Sequence, residues 1–151
     1  MVGRVIVLDA GPIGLITNPK LSVQSAAYNQ WLQVHIKAED RVVVPEIADY
    51  EVRRELLRAD KKKGLVRLDE LSQLIEYLPI TTTTMRRAAE LWAQARQRGQ
   101  PTAGDKTIDS DMILVAQAET LQISDTTIAT TNVGHLPRFI SADLWQSIKP
   151  S

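Results

Sequence analysis

The chain has no cysteine. Disulfides, thiol catalysis, thiolate zinc sites and iron–sulfur clusters are therefore excluded. Its two histidines, His35 and His135, are too few for a histidine-rich metal site. It has no excess charge of either sign, because 18 Lys and Arg balance 18 Asp and Glu. A protein that coats long polyanions carries a broad positive surplus, so any nucleic-acid contact here must be a local patch. No apolar run approaches the roughly 20 residues needed to span a bilayer. The N-terminus has Arg4 and then a short apolar run that ends at Asp9, which does not read as a signal peptide. No membrane association is expected, and the cytoplasm is the expected location. The sequence also lacks a Gly-x-x-x-x-Gly-Lys phosphate loop, a Gly-x-Gly-x-x-Gly dinucleotide fingerprint and a Gly-x-Ser-x-Gly nucleophile elbow.

What is present is a regular alternation of short β-branched runs and helical patterns. The 151 residues suit one domain spanning 1–151. Val5 to Leu8, Arg41 to Val44 and Thr127 to Thr130 read as buried strands. Leu78 to Ile80 and Phe139-Ile140 read as shorter ones. Ala10-Gly11-Pro12 reads as a turn and Asp60 to Gly64 as a charged loop with a glycine stop. Helical spacing of apolar residues appears over Val23 to Ala38, from Pro45 to about Ala59, over Leu65 to Tyr77, and from Met85 towards a stop at Gly99. The run Thr81 to Thr84 can cap that last helix. A polar loop is expected over Gln100 to Lys106. A further helix is expected over Asp111 to about Leu121, with Asp109 or Ser110 as its cap, and Asp143 to Trp145 reads as a terminal helical turn. Strands alternating with helices predict a three-layer α/β/α sandwich around a short, mainly parallel sheet. In such sheets the ligand site lies at the carboxyl ends of the strands.

Four acids fall at or near those ends. Asp9 closes the first strand, Glu51 sits one helical stretch after the second, and Asp109 and Asp111 lie at the start of a later helix. Clustered carboxylates repel one another unless a cation offsets them. An all-oxygen set without histidine or cysteine suits magnesium or manganese. Such an ion lowers the pKa of a bound water and steadies charge on a phosphate.

The order and spacing of four segments resemble the PIN-domain ribonucleases, which include VapC-type toxins. These segments are Val7-Leu8-Asp9, Val44 to Glu51 with Arg53 to Leu56 after it, Asp109 to Ala118, and Ala129 to Leu136 with its Thr130-Thr131-Asn132 core. The resemblance implies metal ligation by Asp9, Glu51 and Asp111, with Asp109 as a further ligand, and a site-orienting role for Asn132. It also implies magnesium- or manganese-dependent hydrolysis of single-stranded RNA, a homodimer and, in toxin members, an antitoxin partner. Two positions depart from the family pattern. Ala10 stands where many members have Ser or Thr, and Val133 and His135 stand where many have an acid. They motivate an alternative in which the domain binds RNA or a protein without cutting.

Each residue also admits a plainer role. Asp9 suits a helix cap, Glu51 an ion pair with Arg54, Asp109 or Asp111 a cap at the helix dipole, and Asn132 a turn. His135 reads as a loop residue, His35 as a surface or boundary residue, and Trp31, Trp92 and Trp145 as core or interface. Among the basic residues, Arg53 and Arg54 are the expected RNA contacts. Arg54, Arg58 and Lys61 share a helical stripe. That stripe reads either as a solvated face or as a phosphate track to the acidic pocket.

Overall fold

A computed structural model describes residues 4–18, 20, 22–98 and 105–151 of the protein, with only the backbone described for 105–108. Five strands form one sheet: β1 (Val5–Leu8), β2 (Arg41–Pro45), β3 (Glu76–Leu78), β4 (Thr126–Thr130) and β5 (Ala142–Leu144). Six α-helices surround it: α1 (Ala10–Thr17), α2 (Val23–Lys37), α3 (Glu46–Arg58), α4 (Lys62–Leu74), α5 (Thr82–Gln97) and α6 (Asp105–Thr120). The strand order is β3-β2-β1-β4-β5, and every pairing is parallel.

The three-layer arrangement follows from alternation along β1. Ile6 and Leu8 point to one face, where they meet Ile13 of α1, Leu32 of α2, Val52 of α3 and Leu68 of α4. Val5 and Val7 point to the other, against Leu91 of α5 and Met112 and Val115 of α6. A strand buried on both faces must be apolar throughout, which is why β1 reads as a continuous run and not as an alternation. The chain builds β2 and β3 outward on one side of β1, then crosses to β4 and β5 on the other. The crevice between the ends of β1 and β4 is thus the topological switch point of the sheet.

Several local expectations are corrected. Ala10-Gly11-Pro12 opens α1 instead of turning the chain. Pro12 falls in the first helical turn, where no backbone donor is needed, and Asp9 accepts a hydrogen bond from the Ala10 N–H. The Lys62–Gly64 stretch opens α4. Gly64 is there for packing, since a Cβ would sit 2.7 Å from Leu56 Cδ2. Helix α4 stops at Leu74, so β3 begins at Glu76, two residues before the expected strand. Near the C-terminus a 3-10 turn covers Leu136–Arg138, the strand falls at Ala142–Leu144, and a second 3-10 turn covers Trp145–Ser147. Helix α6 begins at Asp105, so neither Asp109 nor Ser110 is its cap. Gly99 and the 100–104 part of the expected polar loop lie outside the described residues, while 105 and 106 are helical. Thr81 does cap α5, accepting from the Thr84 N–H at 3.1 Å.

His35 is fully buried, not a surface residue. Its Nδ1 lies 2.7 Å from Asp40 Oδ2 and its Nε2 lies 3.1 Å from the Ile148 carbonyl oxygen. Burying the ring is tolerable because both nitrogens have partners. Hydrogen bonds from Ser151, His35 and Arg4 outweigh the burial of Asp40 and hold its carboxyl below the ordinary range. The result is a clasp that joins α2, the start of β1 and the C-terminal segment. Trp31 and Trp145 pack against Tyr28 with tilted rings, and edge to face with each other, beside it.

Candidate metal centre at the carboxyl edge of the sheet

Asp9 follows the last residue of β1 and is fixed from two sides. Its Oδ1 accepts from the Ala10 N–H at 2.7 Å, and its Oδ2 accepts from the Thr130 hydroxyl at 2.9 Å. Its backbone N–H donates to the Ala129 carbonyl, which continues the β1–β4 ladder to the switch point. The cap role and the site role are therefore compatible, because one carboxylate starts α1 and still faces the crevice.

Helix α3 carries Glu51 to the same place. Pro45 precedes α3 and provides no side-chain cap. The missing acceptor comes from α6, where Gln117, fully buried, accepts from the Ile47 N–H at 3.0 Å and donates to the Leu78 carbonyl at 2.8 Å. Glu46 adds a second tie by accepting from the Ile80 N–H at 2.7 Å. These contacts fix the entry of α3 against α6 and the β3 end, and so fix the direction of Glu51. Asp111 reaches the site from α6.

The electrostatics show that the three acids share one field. Burial, then the charges of Asp9 and Asp111, push Glu51 up to about 7 against the pull of Arg54 and a hydrogen bond from Ser110. Burial and then Asp9 push Asp111 up to about 6. Burial also raises Asp9, although its hydrogen bonds from Ala10 and Thr130 oppose the rise. Among the described residues, nothing fully offsets the cost of charging these three carboxyls, which come from three separate elements.

Asp109 stands apart. Residues two positions apart on a helix are turned by about 200° from each other. Asp109 is exposed and lines a groove with Met85, Trp92 and Met112, between α5 and α6. Arg53 is separated from Glu51 by the same angle. Its guanidinium is committed to Asp49 at 3.1 Å and Asp69 at 2.8 Å. Arg54 stays on the Glu51 side, with its guanidinium 5.2 Å from the centre of the Tyr50 ring. Asn132 is exposed, and its side chain accepts from the Gly134 N–H at 3.1 Å, closing a turn after β4.

Sequence reasoning did not single out Thr130, Gln117 or Gly11. Thr130 lies in the Thr-Thr-Asn segment, immediately before the residues weighed there. Gln117 carried a signal in being a polar residue within the apolar pattern of α6. Gly11 is required by Thr131, since a Cβ on it would lie 2.3 Å from Thr131 Oγ1.

Among the described residues, no three His, Asp or Glu side chains are gathered tightly enough to form a ready-made cage. The donor set nevertheless fits magnesium or manganese. Such ions keep several waters and need only one or two direct carboxylates beside a substrate phosphate. The raised Glu51 and Asp111 carboxyls mark where a cation would relieve repulsion.

A five-stranded parallel sheet flanked by helices defines the molecule as a three-layer α/β protein. Residues 6–134 match the model of the PIN domain, and the chain belongs to the PIN-domain family, whose members are generally nucleases. No match was found among curated proteins. Solved structures agree on the fold. A chain of the VapBC2 complex from Rickettsia felis, bound to a DNA fragment from its promoter, aligns with a TM-score of 0.72 at 16% identity. That alignment covers 94% of this chain and 99% of the other. FitAcB from Neisseria gonorrhoeae aligns with a TM-score of 0.69 at 22% identity, covering 95% and 99%. VapC20 from Mycobacterium tuberculosis, a toxin that cleaves the sarcin–ricin loop, aligns with a TM-score of 0.62 at 15% identity, covering 89% and 96%. Among the described residues no helix is long and apolar enough to cross a membrane.

Proposed function

We propose that the protein is a divalent-metal-dependent endoribonuclease that hydrolyses phosphodiester bonds of single-stranded RNA. The observation that carries this reading is the convergence of Asp9, Glu51 and Asp111, from β1, α3 and α6, on one field at the switch point. These three residues would hold magnesium or manganese. Bound there, the ion would supply a water of lowered pKa and charge stabilisation on the scissile phosphate. The chain's own residues do the positioning. Thr130 and the Ala10 N–H hold Asp9 in one orientation. Gln117 holds the α3 entry that aims Glu51. Arg54, exposed beside Glu51, offers a guanidinium to a phosphate oxygen. Arg53 serves α3–α4 packing through Asp49 and Asp69, and Asn132 shapes the turn at the site's rim.

The test is cleavage of a labelled single-stranded RNA with manganese, with magnesium and with chelator, beside Asp9→Asn. Metal-dependent cutting that Asp9→Asn abolishes supports the reading. Cutting that survives the substitution, or none under any condition, counts against it.

A second reading, a PIN domain that binds RNA or protein without cutting, has its own observations. Ala10 offers no hydroxyl to the site, and the Asn132 carboxamide is engaged in its own turn. A site that does not load metal gains no thermal stability from manganese, which separates the two readings. The proposal includes a homodimer acting in the cytoplasm and an antitoxin that covers the acids. The VapBC complexes that share the fold support the antitoxin. Light scattering of the purified chain and co-purification with the product of an adjacent gene test these two points.

A further inference from the structure

A cleft of about 470 Å³ opens between α1 and α3 next to Glu51. One wall carries Arg54, Arg58 and Lys61; the other carries Gly11 and Gly14 of α1. Residues 51, 54 and 58 recur at spacings of three and four on α3, and Lys61, just past the end of that helix, lines the same cleft, so a stripe that begins at the acid continues as three exposed cations. From Glu51 to Arg58 it runs about 10 Å along the helix. The cations are available. Among the described residues Arg58 pairs only with Glu55, three residues earlier and itself exposed, and a solvent-exposed pair of that kind holds its partner weakly.

Gly14 is an independent observation. A glycine inside a helix costs about 1 kcal/mol relative to alanine. At Gly11 that cost is explained by Thr131. At Gly14 a Cβ would meet nothing within 4 Å, so internal packing does not require glycine there. A helical glycine without a packing reason, facing a cleft, suits the close approach of another molecule's backbone.

We propose that this cleft seats the sugar–phosphate backbone of single-stranded RNA next to the scissile phosphate. In it Arg54, Arg58 and Lys61 grip phosphates, and Gly14 leaves room for the ribose. The assignment rests on the nuclease reading for its direction, since the stripe leads from the acids outward, but it is tested separately.

The experiment is fluorescence anisotropy of a labelled single-stranded RNA with chelator present, so that no cutting occurs. The proteins are the wild type, the double variant Arg58→Gln/Lys61→Gln, Gly14→Leu, and the control Lys37→Gln on the exposed side of α2. Each lost cation should weaken binding by roughly three- to tenfold, and the double variant should flatten the slope of log affinity against log salt by about 1.4. Gly14→Leu should weaken binding by a similar factor of roughly ten and leave the salt slope unchanged, because it removes space and not charge. Thermal melting confirms that each variant is folded. Unchanged affinity and slope in the double variant, or an equal loss in Lys37→Gln, overturns the proposal. So does a result in which a polyglutamate peptide depends on these charges and RNA does not, which would make the cleft the seat of an acidic protein segment. If the wild type binds RNA through the cleft but never cuts it, the cleft stands and the nuclease reading falls. If it cuts RNA and the cleft variants bind normally, the reverse holds.

Discussion

Charging the acidic site should cost the metal-free protein stability, and the sign and size of that cost can be worked from the structure. Glu51 rises from 4.5 to about 7 and Asp111 from 3.8 to about 6. A carboxyl whose folded pKa is raised stays protonated in the native state at a pH where the unfolded chain has already lost the proton. Between about pH 4.5 and 7 the native state therefore binds more protons, and stability falls as pH rises. The contribution is fully present below the unfolded values and gone above about pH 7. For isolated groups, shifts of this size would each correspond to about 3 kcal/mol. Both side chains are part-exposed and their titrations are coupled, so solvent screening reduces this to about 1 kcal/mol each. About two-thirds of the combined pH window lies above pH 5, so about 1.3 kcal/mol should be lost between pH 5 and pH 8, lowering Tm by roughly 3–5 °C for a domain of this size. Asp40 and Glu76, whose carboxyls are held low, act with the opposite sign and at more acidic pH, and the comparison with Glu51→Gln removes every contribution shared by the two proteins. The assay is thermal melting in chelator across pH 5 to 8 for the wild type and Glu51→Gln. Glu51→Gln should match the wild type at pH 5 and exceed it at pH 8. Manganese at 100 times its Kd should restore about 2.7 kcal/mol to the wild type at pH 8 and almost nothing to the variant. A flat wild-type profile, or a Glu51→Gln profile with the same slope, would refute the shared field.

Thr130→Val removes the hydroxyl that orients Asp9 while keeping the shape of the β4 end; metal affinity measured by titration calorimetry should fall about 10- to 100-fold with the fold intact by circular dichroism. Gly11→Ala drives a methyl group into the Thr131 side chain just after β4; chemical denaturation should show a loss of about 1–3 kcal/mol. Gln117→Leu leaves the Ile47 N–H and the Leu78 carbonyl without partners in the core; urea denaturation should show a loss of about 2–5 kcal/mol, and RNA cleavage should fall further than the unfolded fraction explains because α3 loses its alignment.

The central strands β1 and β2 were legible because burial on both faces favours apolar runs such as Val5–Leu8 and Val42–Val44, while β4, which keeps three threonines, was legible by its β-branched residues. That Asp9, Glu51 and Asp111 belong to one site was an expectation from the parallel sheet and the family resemblance; the mutual charge effects of the three carboxyls are consistent with it. Helix α1 was not legible. Its Ala-Gly-Pro start reads locally as a turn, and the contacts of Ile13 and Ile16 with the sheet core decide otherwise. The same is true of Gly64, which serves the Leu56 contact and not a helix stop. Arg53 was expected beside Glu51 from its nearness in sequence, while the two-residue spacing of Asp109 and Asp111 already places them on different helical faces. The helical turn of about 200° over two residues puts Asp109 on the α5 side and Arg53 on the α4 side, away from the acids. Gln117 depends on partners 70 and 39 residues away, and the His35–Asp40 clasp on the Ile148 carbonyl 113 residues away, which no local pattern encodes.

The most direct test of the account is a manganese-binding titration at pH 7.5, with free manganese followed by electron paramagnetic resonance. It compares the wild type with Asp9→Asn, Glu51→Gln, Asp111→Asn and Asp109→Asn. The account predicts binding by the wild type and by Asp109→Asn, and loss of binding in each of the other three. A wild type that binds no manganese, or an Asp109→Asn variant that loses as much affinity as Asp111→Asn, would contradict it.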